Sequence, residues 1–103
     1  MMVPVADTFA GLSVVEFAQG VAAPYCGLLL ARNGAEVIKV EPPGNGDWCR
    51  SLGLQKGDFS SEFIVLNRGK KSLALDIKSP DGYAAAFKLA AKADVIIENY
   101  RPN

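Results

Sequence analysis

Val14-Val15-Glu16-Phe17 is followed by Ala18-Gln19-Gly20-Val21, then by Ala22 to Asn33, then by Gly34 and Glu36-Val37-Ile38-Lys39-Val40-Glu41. The order reads strand, short polar loop, apolar helix, glycine stop, strand. It is a βαβ crossover with a glycine-bearing loop at the front of its helix. Backbone N–H groups at a helix start lack intrahelical partners and point outward. At the carboxyl end of a parallel strand they form a place for an acidic or phosphorylated ligand. The competing reading of Gln19-Gly20-Val21-Ala22 is an ordinary tight turn, because one glycine is not a GxGxxG fingerprint.

Three further segments extend the pattern. Ser72–Asp76 and Val95–Glu98 are short and β-rich, and the apolar runs at 14–15, 37–38 and 95–97 are continuous, which predicts parallel strands covered on both faces. Tyr25 to Ala31 is apolar nearly all round, so the first helix is expected to be buried. Pro24 suits its first turn and Gly34 its end. Ser79-Pro80-Asp81 supplies an N-cap, a first-turn proline and a first-turn acid for a second helix carrying Tyr83, Phe87, Ala90 and Ala91 on one face. Between the βαβ units, Pro42 to Ser61 reads as a glycine- and proline-bearing excursion, with a short helical piece expected over Ser60–Leu66. The fold class is α/β: Rossmann-like βαβ units with a mostly parallel sheet.

Bulk properties bound the rest. The 103 residues make one domain at most, and half of them are hydrophobic. That fraction is high for a chain that buries only about 60–65% of its unfolded surface. Part of its apolar surface is therefore meant for missing chain or for a partner. The net charge is zero, which gives no general attraction to nucleic acid or to a membrane. No apolar run reaches the roughly 18 residues of a membrane span, and Met1–Asp7 lacks the basic and apolar parts of a secretory signal. Histidine is absent, so no His-based triad or metal site can be built from this segment alone. Cys26 and Cys49 are far apart and read as reduced thiols in a cytoplasmic protein, Cys26 as filler in the buried helix.

Three segments carry candidate chemistry. The first is the Gln19–Ala22 loop. The second is Asn67-Arg68-Gly69-Lys70-Lys71-Ser72, three cations in four positions, where arginine can grip two phosphate oxygens and lysine supplies a point charge; a solvated turn is the alternative. A phosphate-binding Walker loop is excluded, because Ile64 and Lys71 stand where glycine and Ser/Thr are required. The third is Glu98-Asn99-Tyr100-Arg101, which offers an amide, a stacking ring and a charge, or else is a plain strand-to-helix turn. The three are expected to converge on one sheet edge. Glu16, Asp76 and Glu98 read as strand-end residues that satisfy backbone or cationic groups, and Trp48 as a core residue or loop anchor.

Val15 to Pro24, Gly34 to Asp47, Leu66 to Asp76, Ser79 to Gly82 and Asp94 to Pro102 together resemble, in order, the start of the family III CoA-transferases, the group of formyl-CoA transferase and α-methylacyl-CoA racemase. The resemblance implies a Rossmann-like sheet that binds coenzyme A, in a larger fold whose two subunits interlock as a homodimer. It implies that residues 1–103 form the N-terminal part of the CoA-binding domain, the rest of the family fold being absent. It places the backbone of Val21 and Ala22, next to Gln19, along CoA. Asn67, Arg68, Lys70 and Lys71 match the segment near its phosphate and pantetheine portion, and Asn99 and Tyr100 the cofactor channel, beside which Arg101 is a further candidate for cofactor binding through its charge. Pro42 stands where several members have an arginine near the adenine. No catalytic residue is assigned: the family's nucleophilic aspartate, which forms an acyl anhydride and then a thioester, matches a segment beyond Asn103. The implied partners are an acyl-CoA and a carboxylic acid, with no metal. Acyl-CoA racemisation and a stand-alone nucleotide-binding or dimerisation module are the alternatives.

Overall fold

A computed structural model describes residues 8–102 of the chain. Residues 1–7, from which the absence of a secretory signal is read, and Asn103 lie outside the described residues. The opening crossover forms as its sequence dictates. Strand β1 is Ser13–Phe17, helix α1 Ala22–Arg32 and strand β2 Glu36–Glu41. Asn33 closes α1, its side-chain Nδ2 donating to the Leu29 carbonyl at 2.6 Å. Strand β5 is Lys71–Ala74, helix α3 Pro80–Lys92 and strand β6 Val95–Glu98. The Ser79 hydroxyl caps α3 by accepting from the Gly82 amide at 3.0 Å, the role its sequence position predicts.

The four strands pair in parallel in the order β5-β2-β1-β6. The chain runs outward from β1 to β2 and β5, then returns past β1 to β6. Right-handed crossovers in opposite directions put α1 and α3 on opposite faces of the sheet. The reversal falls between β1 and β6, so a crevice opens between their carboxyl ends.

The excursion after β2 is more ordered than its composition predicts. Trp48–Ser51 makes one 3₁₀ turn, and strands β3 (Gln55–Lys56) and β4 (Phe59–Ser60) make a small antiparallel hairpin around Gly57-Asp58. Helix α2, Ser61–Asn67, follows at once, capped by the Ser60 hydroxyl. It agrees with the expected helical piece to within a residue.

Two expectations about burial are corrected. Val14, Ala35 and Val37 form one core cluster, packed by Leu12, Leu30, Ala31, Val95 and Ile97 on the α1 side of the sheet, and Val15 and Val40, which alternate onto the other face, are buried as well, with Ala86 of α3. Only the central strands β1 and β2 are buried as strands covered on both faces should be; every residue of β5 is exposed, as is Ile96 in β6. Helix α1 buries Pro24, Gly27 and Leu28 alone, while Tyr25, Cys26 and Leu29 face outward. Among the described residues nothing covers that outer face, so its apolar character cannot produce burial.

Candidate functional site

The loop after β1 is held from three directions. Asn99, just past β6, accepts from the Gln19 amide at 3.1 Å and donates its own Nδ2 to the Gln19 carbonyl at 2.8 Å. This two-way clasp bridges the crevice where the strand order reverses. From the β2 side, Asp47 Oδ1 accepts from the Gly20 amide at 3.0 Å, and the Trp48 amide donates to Gln19 Oε1 at 3.1 Å. From beneath, Lys39 donates to the Ala18 carbonyl at 2.9 Å. Helix α1 then starts at Val21 with no side-chain cap, so the first amides of α1 keep their outward donors.

Below the loop lies a buried network of two carboxylates and two ammonium groups. Lys39 Nζ sits 2.8 Å from Glu16 Oε2 and 2.8 Å from Asp47 Oδ2. Lys70 Nζ reaches Glu16 Oε1 at 2.7 Å, the Pro24 carbonyl at 2.8 Å and Asn67 Oδ1 at 2.7 Å. Burial pushes the Lys70 ammonium below the usual lysine range, and Glu16 pulls it back up. Buried charges persist only when paired and hydrogen-bonded in this way. Gly27 makes room for it: a Cβ at that position of α1 would stand 2.0 Å from Glu16 Oε1.

A third buried carboxylate, Glu41, sits at the end of β2. Burial alone would raise the Glu41 pKa. Hydrogen bonds from Arg50, Ser72 and the Asp47 amide outweigh burial and bring it down to about 2. Arg50 grips Glu41 with two hydrogen bonds of 2.7 Å each and lies over the Phe63 ring at 3.7 Å.

A cleft of about 870 Å³ opens on the α3 face at the carboxyl ends of the strands. Phe17, Gln19, Glu41, Pro42, Pro43, Ile96 and Tyr100 line its sheet side, and Lys78, Tyr83 and Phe87 its outer side. Burial, with Glu98 nearby, raises the Tyr100 hydroxyl above its ordinary range. The cleft is mainly apolar, with few polar groups, as small-molecule sites are.

The expected convergence of three segments is corrected to two. Gln19–Ala22 and Glu98–Arg101 meet at the carboxyl edge, where Val21 and Ala22 lie exposed at the helix start and Arg101 is exposed beyond Tyr100. Asn67–Lys70 precedes β5 and Lys71-Ser72 open it, so in a parallel sheet the segment lies at the amino end of its strand. Lys71 pairs with Glu36 at 2.9 Å there, at the start of β2. Asn67 is buried, accepting from Lys70 and donating to the Phe63 carbonyl at 3.0 Å. Lys70 is turned inward under α1. Arg68 is exposed beside a separate pocket of about 320 Å³ with Arg50, Phe59 and Phe63.

What replaces that segment at the edge is Leu75–Lys78, the residues after β5. Sequence reasoning missed Lys78 as a site residue. The signal was present, since Lys78 stands between a strand end and the Ser79 cap. Asp76, Glu98 and Glu16 behave as expected of strand-end acids: Asp76 accepts from the Lys78 amide and Glu98 from the Tyr100 amide, both at 3.1 Å, and Glu16 takes the two lysines. Trp48 is no core residue, being 54% exposed, yet it anchors the loop by lying against Gly20. Both cysteines are free, Cys49 buried and Cys26 exposed. Among the described residues no cluster of three Cys, Asp or Glu is placed to hold a metal, and no helix is long and apolar enough to cross a membrane.

Residues 9–103 match the profile of CoA-transferase family III. Succinyl-CoA–D-citramalate CoA-transferase of Chloroflexus aurantiacus is 44% identical over 90 residues, 86% of this chain and 22% of that protein. Human succinyl-CoA:glutarate CoA-transferase is 42% identical over 93 residues, 89% of this chain and 21% of that protein. The crystal structure of a CAIB/BAIF family protein from Brucella suis superposes with a TM-score of 0.84 at 39% identity, over 90% of this chain and 26% of that one. The chain thus spans about a quarter of the length of the relatives it matches.

Proposed function

The chain belongs to CoA-transferase family III, and we propose that it builds part of the coenzyme A site of an enzyme that moves CoA between carboxylic acids. The observation that carries this reading is the carboxyl edge where the strand order reverses: the uncapped start of α1 follows the Gln19 loop, and that loop and the ring of Tyr100 line a mainly apolar cleft. CoA combines a polyanionic diphosphate, a flat adenine and a largely apolar arm. The amides following Val21, at the positive end of α1, suit the phosphate groups. Lys78 and Arg101 supply cations at the same edge. Tyr100, Tyr83, Phe87 and Pro42 suit the base, with apolar contact replacing the arginine that several family members carry at position 42.

The other residues proposed for the site act at its margins. Gln19 and Asn99 hold the loop through their clasp. Lys70 and Asn67 support it from below, while Arg68 and Lys71 lie outside the cleft as it stands here. The covalent step belongs to an aspartate that the resemblance assigns to a segment this chain does not span. These residues therefore bind and orient the acyl-CoA. The Chloroflexus aurantiacus and human relatives named above are CoA-transferases, which supports transfer over racemisation. The full-length form is proposed to be a homodimer, on the family resemblance, and the two free cysteines support a cytoplasmic location.

Calorimetric titration of the purified protein with CoA, and with NAD as control, tests the reading. CoA should bind and NAD should not, and Lys78→Glu should weaken CoA about tenfold, the loss of one charge-assisted phosphate contact. Binding of NAD without CoA would sink the proposal.

A further inference from the structure

We propose that Asp47 is a positioning residue that sets the CoA-facing loop from a neighbouring loop; the inference rests on the CoA reading above. Asp47 is fully buried, so it cannot touch a ligand itself. It ends the Gly44-Asn45-Gly46 turn after β2, yet its contacts run to the loop after β1. Oδ1 accepts from the Gly20 amide at 3.0 Å and from the Cys49 amide at 2.8 Å. Its own amide donates to Glu41 Oε1 at 2.8 Å, which fixes Asp47 to the end of β2. The adjacent Trp48 adds two contacts to the same loop. Its amide holds Gln19 Oε1, and its indole lies so close to Gly20 that a Cβ there would stand 2.5 Å from the ring. Gly20 has a φ of +90°, a backbone state that needs glycine.

The consequence is a division of the loop's donors. The Gln19 and Gly20 amides are spent on Asn99 and Asp47, and the amides that follow are left without a side-chain cap. Asp47 therefore decides where the uncapped amides point. Its second oxygen meets Lys39, within the buried network, and supplies charge balance rather than geometry. The two oxygens thus carry two separable roles.

Two substitutions separate them. Asp47→Asn removes the charge and keeps an oxygen where Gly20 needs it. Asp47→Glu keeps the charge and moves the oxygens by one methylene. CoA affinity is measured by calorimetry and stability by thermal unfolding, on the same preparations. A positioning role predicts that D47N binds CoA within about threefold of wild type despite a lower unfolding temperature, while D47E binds about tenfold or more weakly. The reverse order, or equal affinity in all three proteins, overturns the proposal and leaves the CoA reading standing. Should D47E fail to fold, Trp48→Ala takes its place, since its ring is half exposed and its loss frees Gly20. An affinity loss of about fivefold supports the role, and wild-type affinity overturns it. Failure of the wild-type protein to bind CoA overturns the CoA reading, and this inference with it.

Discussion

Gly27 sits in a helix, where alanine is ordinarily better by about 1 kcal/mol. Here a methyl group would meet Glu16 Oε1 at 2.0 Å and Lys70 Cε at 3.2 Å. Displacing a buried pair costs about 3 kcal/mol or more. The second effect wins, so Gly27→Ala should lower stability by about 2 kcal/mol in urea unfolding. A stabilised variant would show that the network shifts freely. Glu41 gives a pH signature. Unfolded, it takes a proton near its ordinary value of 4.5; folded, only near 2. Between those values the unfolded chain binds more protons, so the Glu41 contribution is full above about 4.5 and is lost as pH falls through about 2. The urea midpoint of the wild type should fall between pH 5 and pH 3 by more than that of Glu41→Gln. Equal slopes in the two proteins would remove Glu41 from the acid response.

At the scale of elements, the periodicity and caps of the βαβ units were legible because they are local. Pro24, Gly34 and Ser79 each act within a turn of their own position. The site was legible where it follows a strand and misleading where it precedes one. Asn67–Lys71 looks like a phosphate cluster by composition, but the direction of β5 puts it at the amino end, and Glu16, fifty-four residues away, draws Lys70 inside. Charge spacing carries no information about such a partner. The hairpin β3–β4 was missed for a related reason: two-residue strands leave no period to read. The three cations should therefore respond differently to alanine. Lys70→Ala leaves Glu16 half-paired in the interior and should cost about 3 kcal/mol. Lys71→Ala removes a surface pair and should cost under about 1 kcal/mol, and Arg68→Ala should fall within about 0.5 kcal/mol of wild type. Urea unfolding of the three variants checks the order, and a Lys70→Ala protein as stable as Arg68→Ala would refute the inward role.

For the whole molecule, the high apolar fraction is explained by faces left open rather than by a large core. Few apolar side chains are buried on either face of the sheet, Val14 and Val37 toward α1 and Val15 and Val40 toward α3, while Tyr25 and Leu29 on α1 and Tyr83 and Phe87 on α3 are exposed. The last two lie 6.3 Å apart, ring to ring, beside the cleft. An apolar side chain that stays in water adds little to folding, because the transfer gain comes only with burial. It does raise the tendency to bind other apolar surfaces. Stability and surface stickiness should therefore separate on the outer face of α1, away from the cleft. The double substitution Tyr25→Gln, Leu29→Gln should leave the urea midpoint within the change expected of surface positions, about 0.5 kcal/mol each. It should at the same time reduce binding of a hydrophobic dye and self-association in sedimentation. A large loss of stability with unchanged dye binding would mean that this face is already packed, and would return α1 to the buried role its sequence predicts.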